Sequence, residues 1–315
     1  MSSPRTPNSR MSLRVLALLG CLLACWAKPA AASSDDPRVL VLGRISDDPK
    51  SHYEQLKPLL DYIVPRMADL GVRKGEILMA RNLQQMGSYL RRGRVDWVSE
   101  TSASGMWLEA RAGATPLLLT ERFGRNTYHT VFFARRGSGI AGIDGMRGHS
   151  IAFQNTSSTT AYFVPAMELL RRGLPLTLLL SPRDTPGSGD VGYLFAGSER
   201  NIATWVQKGL VDVGAVSSID WDNPQLVTPT FRPDLEVIGT SLEYPRALEM
   251  VRGSLDERIR ERLRKLLLEA ASDPDAKVAL AQYFHTTGFA PIDAGTMRSL
   301  RELQRGVLQV KDQVE

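Results

Sequence analysis

Two stretches of this chain are built alike, and their likeness constrains the fold more than any other feature. Leu90-Arg-Arg-Gly-Arg-Val-Asp96-Trp-Val98 and Val206-Gln-Lys-Gly-Leu-Val-Asp212-Val-Gly214 each read as a helix end, a Gly suited to the left-handed cap, then Val-Asp opening a strand. Any helix-Gly-strand junction shares this outline, so the weight lies in its recurrence at matching places in two runs of alternating strands and helices. In the first run, the apolar segment 38–43 and segments 76–79, 95–98, 116–120 and 130–134 read as strands. Helices are expected between them: Leu56, Leu60, Ile63 and Met67 repeat with helical spacing, and segments 83–92 and 104–112 follow. The second run repeats the plan with strands at 150–153, 191–195 and 213–216 and helices up to Arg172 and over 199–208. Such alternation implies an α/β chain of parallel βαβ units, and 315 residues suffice for two lobes. C-terminal helices are expected after a capping box at Ser254-Leu-Asp-Glu257, over 275–284 and over 296–310.

Composition narrows the function. Charged residues make up 23% of the chain and hydrophobic ones 43%, the usage of a soluble globular body. The pI of about 9.3 suggests nucleic acid, yet Arg5, Arg10, Arg14 and Lys28 all precede Ser33. Setting those four aside from the 39 basic residues leaves 35 against 34 acidic ones, so no nucleic-acid partner is expected. Residues 1–32 read instead as an export signal: basic residues, the apolar run from Val15 to Ala27, then Ala30-Ala31-Ala32. That run falls short of the roughly 20 residues a spanning helix needs, and either Met1 or Met11 could start it. Cys21 and Cys25 both lie inside it, so cleavage after Ala32 leaves no thiol for a disulfide, a metal or a nucleophile. Leu22-Leu23-Ala24-Cys25 also resembles a lipobox, which would make Cys25 the lipidated first residue of an anchored lipoprotein.

The segment richest in chemistry is Phe153-Gln-Asn-Thr-Ser-Ser-Thr-Thr-Ala-Tyr162, where a strand ends, hydroxyl residues follow and a helix begins. Hydroxyls and unpaired N–H groups at a helix start form a neutral anion cradle. Plain N-capping needs one Ser or Thr, and this junction has several in a row. No phosphate loop, no nucleophile elbow and no His beside a plausible nucleophile occurs, so no enzymatic activity and no cofactor is expected. His52, His129, His149 and His285 are dispersed, and no metal site is expected. The tryptophans at 97, 107, 205 and 221 read as packing residues.

Through Ser138-Gly-Ile140, Gly145-Met-Arg-Gly-His-Ser-Ile-Ala-Phe153, Ser158-Thr-Thr-Ala-Tyr162, Phe195-Ala-Gly-Ser198 and Gly209-Leu-Val-Asp212, the chain resembles the phosphate/phosphite/phosphonate-binding periplasmic proteins of ABC importers. The resemblance implies a two-lobed periplasmic-binding (type II) fold, with lobe 1 over 36–132 and 237–315, lobe 2 over 133–236, and a ligand cleft between them. Crossings are expected near 130–134 and 235–239. The resemblance also implies that Ser158, Thr159 and Thr160 hold an oxyanion. Two positions depart from the family: Glu199 stands where a His is usual, and Ser99-Glu100-Thr101-Ser102 replaces a Gly-Pro loop. Glu100, Thr101, Ser102 and Glu199 therefore join the expected site, as do Asp220, which follows the strand at 213–216 where cleft loops emerge, and Arg246, placed after Pro245 to offset either acid. The two acids suggest a zwitterion such as an aminophosphonate, its ammonium near Glu100 or Glu199; solvated or structurally paired acids are the alternative. The expected partners are a small anionic or zwitterionic solute and an ABC permease, or else a membrane receptor kinase to which a sensory binding protein would deliver its signal.

Overall fold

The computed structural model of the protein describes residues 38–314, so the export segment and Cys25 lie outside the described residues. Fourteen strands alternate with helices among these residues. In chain order they are β1 (Arg38–Ile45), β2 (Val72–Ala80), β3 (Trp97–Thr101), β4 (Ala114–Arg122), β5 (Thr127–Tyr128), β6 (Thr130–Arg135) and β7 (Ser150–Phe153). There follow β8 (Leu176–Leu178), β9 (Val191–Phe195), β10 (Val213–Ser217), β11 (Leu235–Thr240), β12 (Tyr244–Pro245), β13 (Ala247–Arg252) and β14 (Thr286–Ala290). They form two six-stranded sheets, ordered β14-β4-β13-β3-β1-β2 and β11-β6-β10-β7-β9-β8, each the centre of one lobe.

The expected parallel units are present, as β1 pairs parallel with β2 and β3, and β7 with β9 and β10. Both sheets are nevertheless mixed: β6 and β13 run antiparallel to their neighbours. Each of these two strands enters its lobe from a crossing, so it starts at the cleft end of the sheet and runs outward. The crossings themselves are β5 and β12, which pair with each other through Tyr128 opposite Tyr244 and Thr127 opposite Pro245. They lie outside the segments expected to make them. The lobe limits at 132/133 and 236/237 cut through β6 and β11, because both strands belong wholly to the second sheet.

Local sequence accounts for most element ends. Asp48 accepts the Ser51 N–H ahead of helix Pro49–Ile63, and Ser198 accepts that of Asn201 ahead of helix Glu199–Gln207. The helix expected to start in a capping box at Ser254 is capped instead by Asp256, whose carboxylate accepts the N–H groups of Arg258 and Ile259. Leu56, Leu59, Leu60 and Ile63 pack with Leu40, Leu42, Leu263 and Leu267 on one face of the first sheet. The C-terminal helix Ala294–Gln313 spans both lobes. Its Gln304 donates to the Met106 carbonyl of lobe 1 (2.9 Å), and its Glu302 pairs with Arg171 of lobe 2 (2.8 Å). Among the described residues no helix is long and apolar enough to cross a membrane.

Candidate functional site

The repeated design seen in the sequence positions the strand ends. Gly93 and Gly209 both take the left-handed conformation, with φ of 65° and 67°. The Asp that follows each does the same work in each lobe: Asp96 accepts the Val41 N–H (2.9 Å), and Asp212 accepts that of Ser150 (2.9 Å). Each carboxylate thus ties the start of its strand to the parallel strand beside it, at the middle of β1 in one lobe and at the start of β7 in the other. The carboxyl ends of these strands point the other way, into a cleft of about 510 Å³, a volume usual for small-molecule sites.

One wall comes from lobe 2. After β7, Asn155 accepts the N–H and hydroxyl of Ser157, and a π-helical turn, Thr159–Phe163, leads into helix Val164–Arg171. Ser158 accepts the Ala161 N–H (3.2 Å) and caps the turn. The Thr159 hydroxyl accepts the Ala103 N–H of lobe 1 (3.0 Å), while Thr101 and Ser104 donate to the Ser157 carbonyl at 3.3 and 2.9 Å. The Thr160 carbonyl accepts from Thr130. The hydroxyl run therefore lines the cleft and also joins the two lobes. Glu199 and Asp220 stand on the same side. Loss of hydration, followed by the carboxylates of Asp220 and Asp47, pushes the half-buried Glu199 carboxyl up to about 7. Burial raises Asp220 too, although Ser217 donates to it at 2.6 Å.

The other wall, from lobe 1, is basic. Arg44 ends the apolar run of β1 and Arg122 ends that of β4; both are buried and both line the cleft. The Arg44 Nη1 donates to the Ser99 carbonyl (2.6 Å) and lies 3.7 Å from Glu100. Arg122 has no ion pair among the described residues, and its Nε and Nη2, like the Nε of Arg44, are buried without a hydrogen-bond partner. Burial, then Arg44 and Arg246, lower the Arg122 guanidinium to about 10, so it stays charged at neutral pH. Both guanidiniums lie over the ring of Phe284, at 4.8 Å for Arg44 and 4.5 Å for Arg122. His52, hydrogen-bonded to Ser46 through Nδ1, approaches the same ring at 5.6 Å, and burial followed by Arg44 lowers its pKa.

Of the residues expected from sequence, Ser158, Thr159, Thr160, Glu100, Thr101, Glu199, Asp220 and Arg246 line the cleft. Ser102 does not, and this corrects the expectation: the helix that starts at Ser102 buries its side chain inside lobe 1. Glu100 also has a structural task. Its carboxylate accepts the Ile45 N–H (2.6 Å) beside Arg44, which makes it a paired acid. Sequence reading missed Arg44, Arg122 and His52. The detectable signal was a charged residue closing an apolar strand, at Leu42-Gly-Arg44 and at Leu119-Thr-Glu-Arg122.

Comparisons with known proteins agree with this architecture. The profile of the family described as "ABC transporter, phosphonate, periplasmic substrate-binding protein" matches residues 43–296. The Xanthomonas citri protein XAC2383, solved bound to chloride ion, is 55% identical with a TM-score of 0.86, over 88% of this chain and 99% of that one. The structure of XAC2383 bound to ATP matches at 54% identity and 0.85, with the same coverage. PhnD1 from Prochlorococcus marinus, in complex with methylphosphonate, shares the fold at 18% identity and a TM-score of 0.63, over 87% of this chain and all of that one. With its two lobes and its cleft, the chain belongs to the family of non-enzymatic, periplasmic substrate-binding proteins of phosphonate ABC transporters.

Proposed function

We propose that this protein captures a small phosphorus oxyanion or phosphonate in the cleft and presents it to an ABC permease. The observation that carries this reading is Arg122: a buried guanidinium at the cleft, without an ion pair among the described residues and with two N–H-bearing atoms unpartnered. Leaving such donors unsatisfied costs about 1–3 kcal/mol each, a cost that a bound oxyanion removes. The helix start at Ser158–Thr160 supplies N–H groups and hydroxyls from the facing lobe, so an anion held by both walls favours the closed arrangement of the lobes. The ligands named for the similar structures, chloride, ATP and methylphosphonate, are all anions. Residues 1–32 act in this reading as a cleaved export signal.

An amino group on the solute would meet Glu199 and Asp220, since Glu100 is already paired with Arg44. Calorimetric titration of the exported protein, refolded to strip carried-over solute, against phosphate, phosphite, methylphosphonate and 2-aminoethylphosphonate tests the proposal. Binding of at least one of them is expected, with tighter binding of the amino compound if the acids recognise an ammonium. No heat from any of the four would refute it.

A further inference from the structure

The two walls of the cleft offer separate sets of donors. Lobe 2 contributes the helix start at Ser158–Thr160, and lobe 1 contributes Arg44 and Arg122. A cavity of about 510 Å³ holds far more than one tetrahedral oxyanion. The lobe 1 set is built as a site in its own right. Arg122 is 7% exposed and Arg44 9%, and buried donor atoms without a partner number two on Arg122 (Nε and Nη2) and one on Arg44 (Nε). Phe284 lies beneath both guanidiniums, 4.8 Å from Arg44 and 4.5 Å from Arg122, a cation–π contact shared by the pair. Phe284 and the next residue, His285, are held in the left-handed conformation, with φ of 53° and 55°, which non-glycine residues rarely adopt. Such strain persists where surrounding structure enforces it and gathers at ligand clamps. Glu100 offsets Arg44, but none of the described carboxylates forms an ion pair with Arg122. The lobe 1 wall therefore keeps positive charge to spare.

We propose that Arg44, Arg122 and Phe284 form a second phosphoryl subsite, so that the cleft selects solutes carrying two phosphoryl groups over single oxyanions. One group sits at the helix start of lobe 2 and the other on the guanidiniums of lobe 1. The inference rests on the phosphorus-oxyanion reading above and names its ligand class.

Calorimetry of the refolded, exported protein with phosphate, methylphosphonate, inorganic diphosphate and methylenediphosphonate provides the test; the last keeps both phosphoryl groups on a bridge that cannot hydrolyse. Both two-phosphoryl ligands should bind about 100-fold tighter than phosphate, the worth of one or two charge-assisted contacts. Arg122→Gln should reduce that ratio to about 10-fold or less, with folding checked by a thermal melt. Should Arg122→Gln fail to fold, Arg122→Lys, which keeps the charge and loses the planar fork, should lower the same ratio. Equal affinity for phosphate and diphosphate would overturn the second subsite while leaving the single-oxyanion reading intact. So would an Arg122 variant that weakens all four ligands by one factor. Absence of binding by all four would overturn both.

Discussion

The two lobes share a frame and differ in what they hang on it. In each, a left-handed Gly ends a helix and an Asp before the next strand accepts an N–H from the parallel strand alongside, Asp96 in one lobe and Asp212 in the other. At the opposite ends of the strands the likeness stops. Lobe 1 presents Arg44 and Arg122 over Phe284, whereas lobe 2 presents a contiguous run of hydroxyls with Glu199 and Asp220. Scaffold and site are thus separable, and the chemistry resides at strand ends that the frame leaves free to vary.

The walls also differ in what supports them. Behind the arginines, the fully buried Glu249 carboxylate accepts from Trp97 Nε1 (2.5 Å), Ser99 (3.0 Å), Thr120 (2.8 Å) and the Tyr283 hydroxyl (3.0 Å). Burial raises its pKa, and the Arg122 charge opposes that rise. The hydroxyl wall has backbone support instead, through the cap at Ser158 and the Ala103 to Thr159 bond.

This contrast can be broken most forcefully at Glu249. Glu249→Ala strands four buried donors and should cost about 3 kcal/mol or more in urea unfolding; a loss below about 1 kcal/mol would remove the claim that lobe 1 leans on a buried acid. Next come the paired frame residues. Asp96→Ala should cost about 2 kcal/mol, because Asp96 also pairs with Arg252 at 2.8 Å, and Asp212→Ala about 1 kcal/mol. Equal losses would show that the Arg252 pair is worth no more than the Ser150 hydroxyl bond (3.0 Å) and the His149 contact (3.5 Å) that Asp212 makes besides. Thr159→Val removes the acceptor of the Ala103 N–H and should cost about 1 kcal/mol, with weaker anion binding as the lobes part more readily.

The smallest effect is a pH slope. Because the Glu199 pKa is raised to about 7 in the folded state from an ordinary 4.5, the native protein holds this proton more tightly than the unfolded chain does. Its contribution to stability is fully present below pH 4.5 and is lost as pH rises through 7. Glu199→Gln should flatten that decline in thermal melts between pH 5 and 8. An unchanged slope would mean that Glu199 titrates as a solvated carboxyl.

Several features were legible from local chemistry. Apolar periodicity located the strand at 191–195 and the helix beginning at Glu199, and recurring Gly and Val-Asp residues revealed the repeated frame. The hydroxyl wall could be read because its residues are neighbours along the chain. Arg44, Arg122 and Phe284 could not, since each looks like an ordinary strand-end or loop residue until β1, β4 and the turn before β14 converge. Whether Glu100 faces a ligand or is paired stayed open in the sequence for the same reason, its partners at Ile45 and Arg44 being remote in sequence. By itself the sequence determined the α/β frame, the hydroxyl-rich helix start and the family, because periodicity, caps and short motifs act over a few residues. Tertiary structure alone decided which charges meet in the cleft and which are already paired, because electrostatic partnership depends on distance in space and on the water that packing removes.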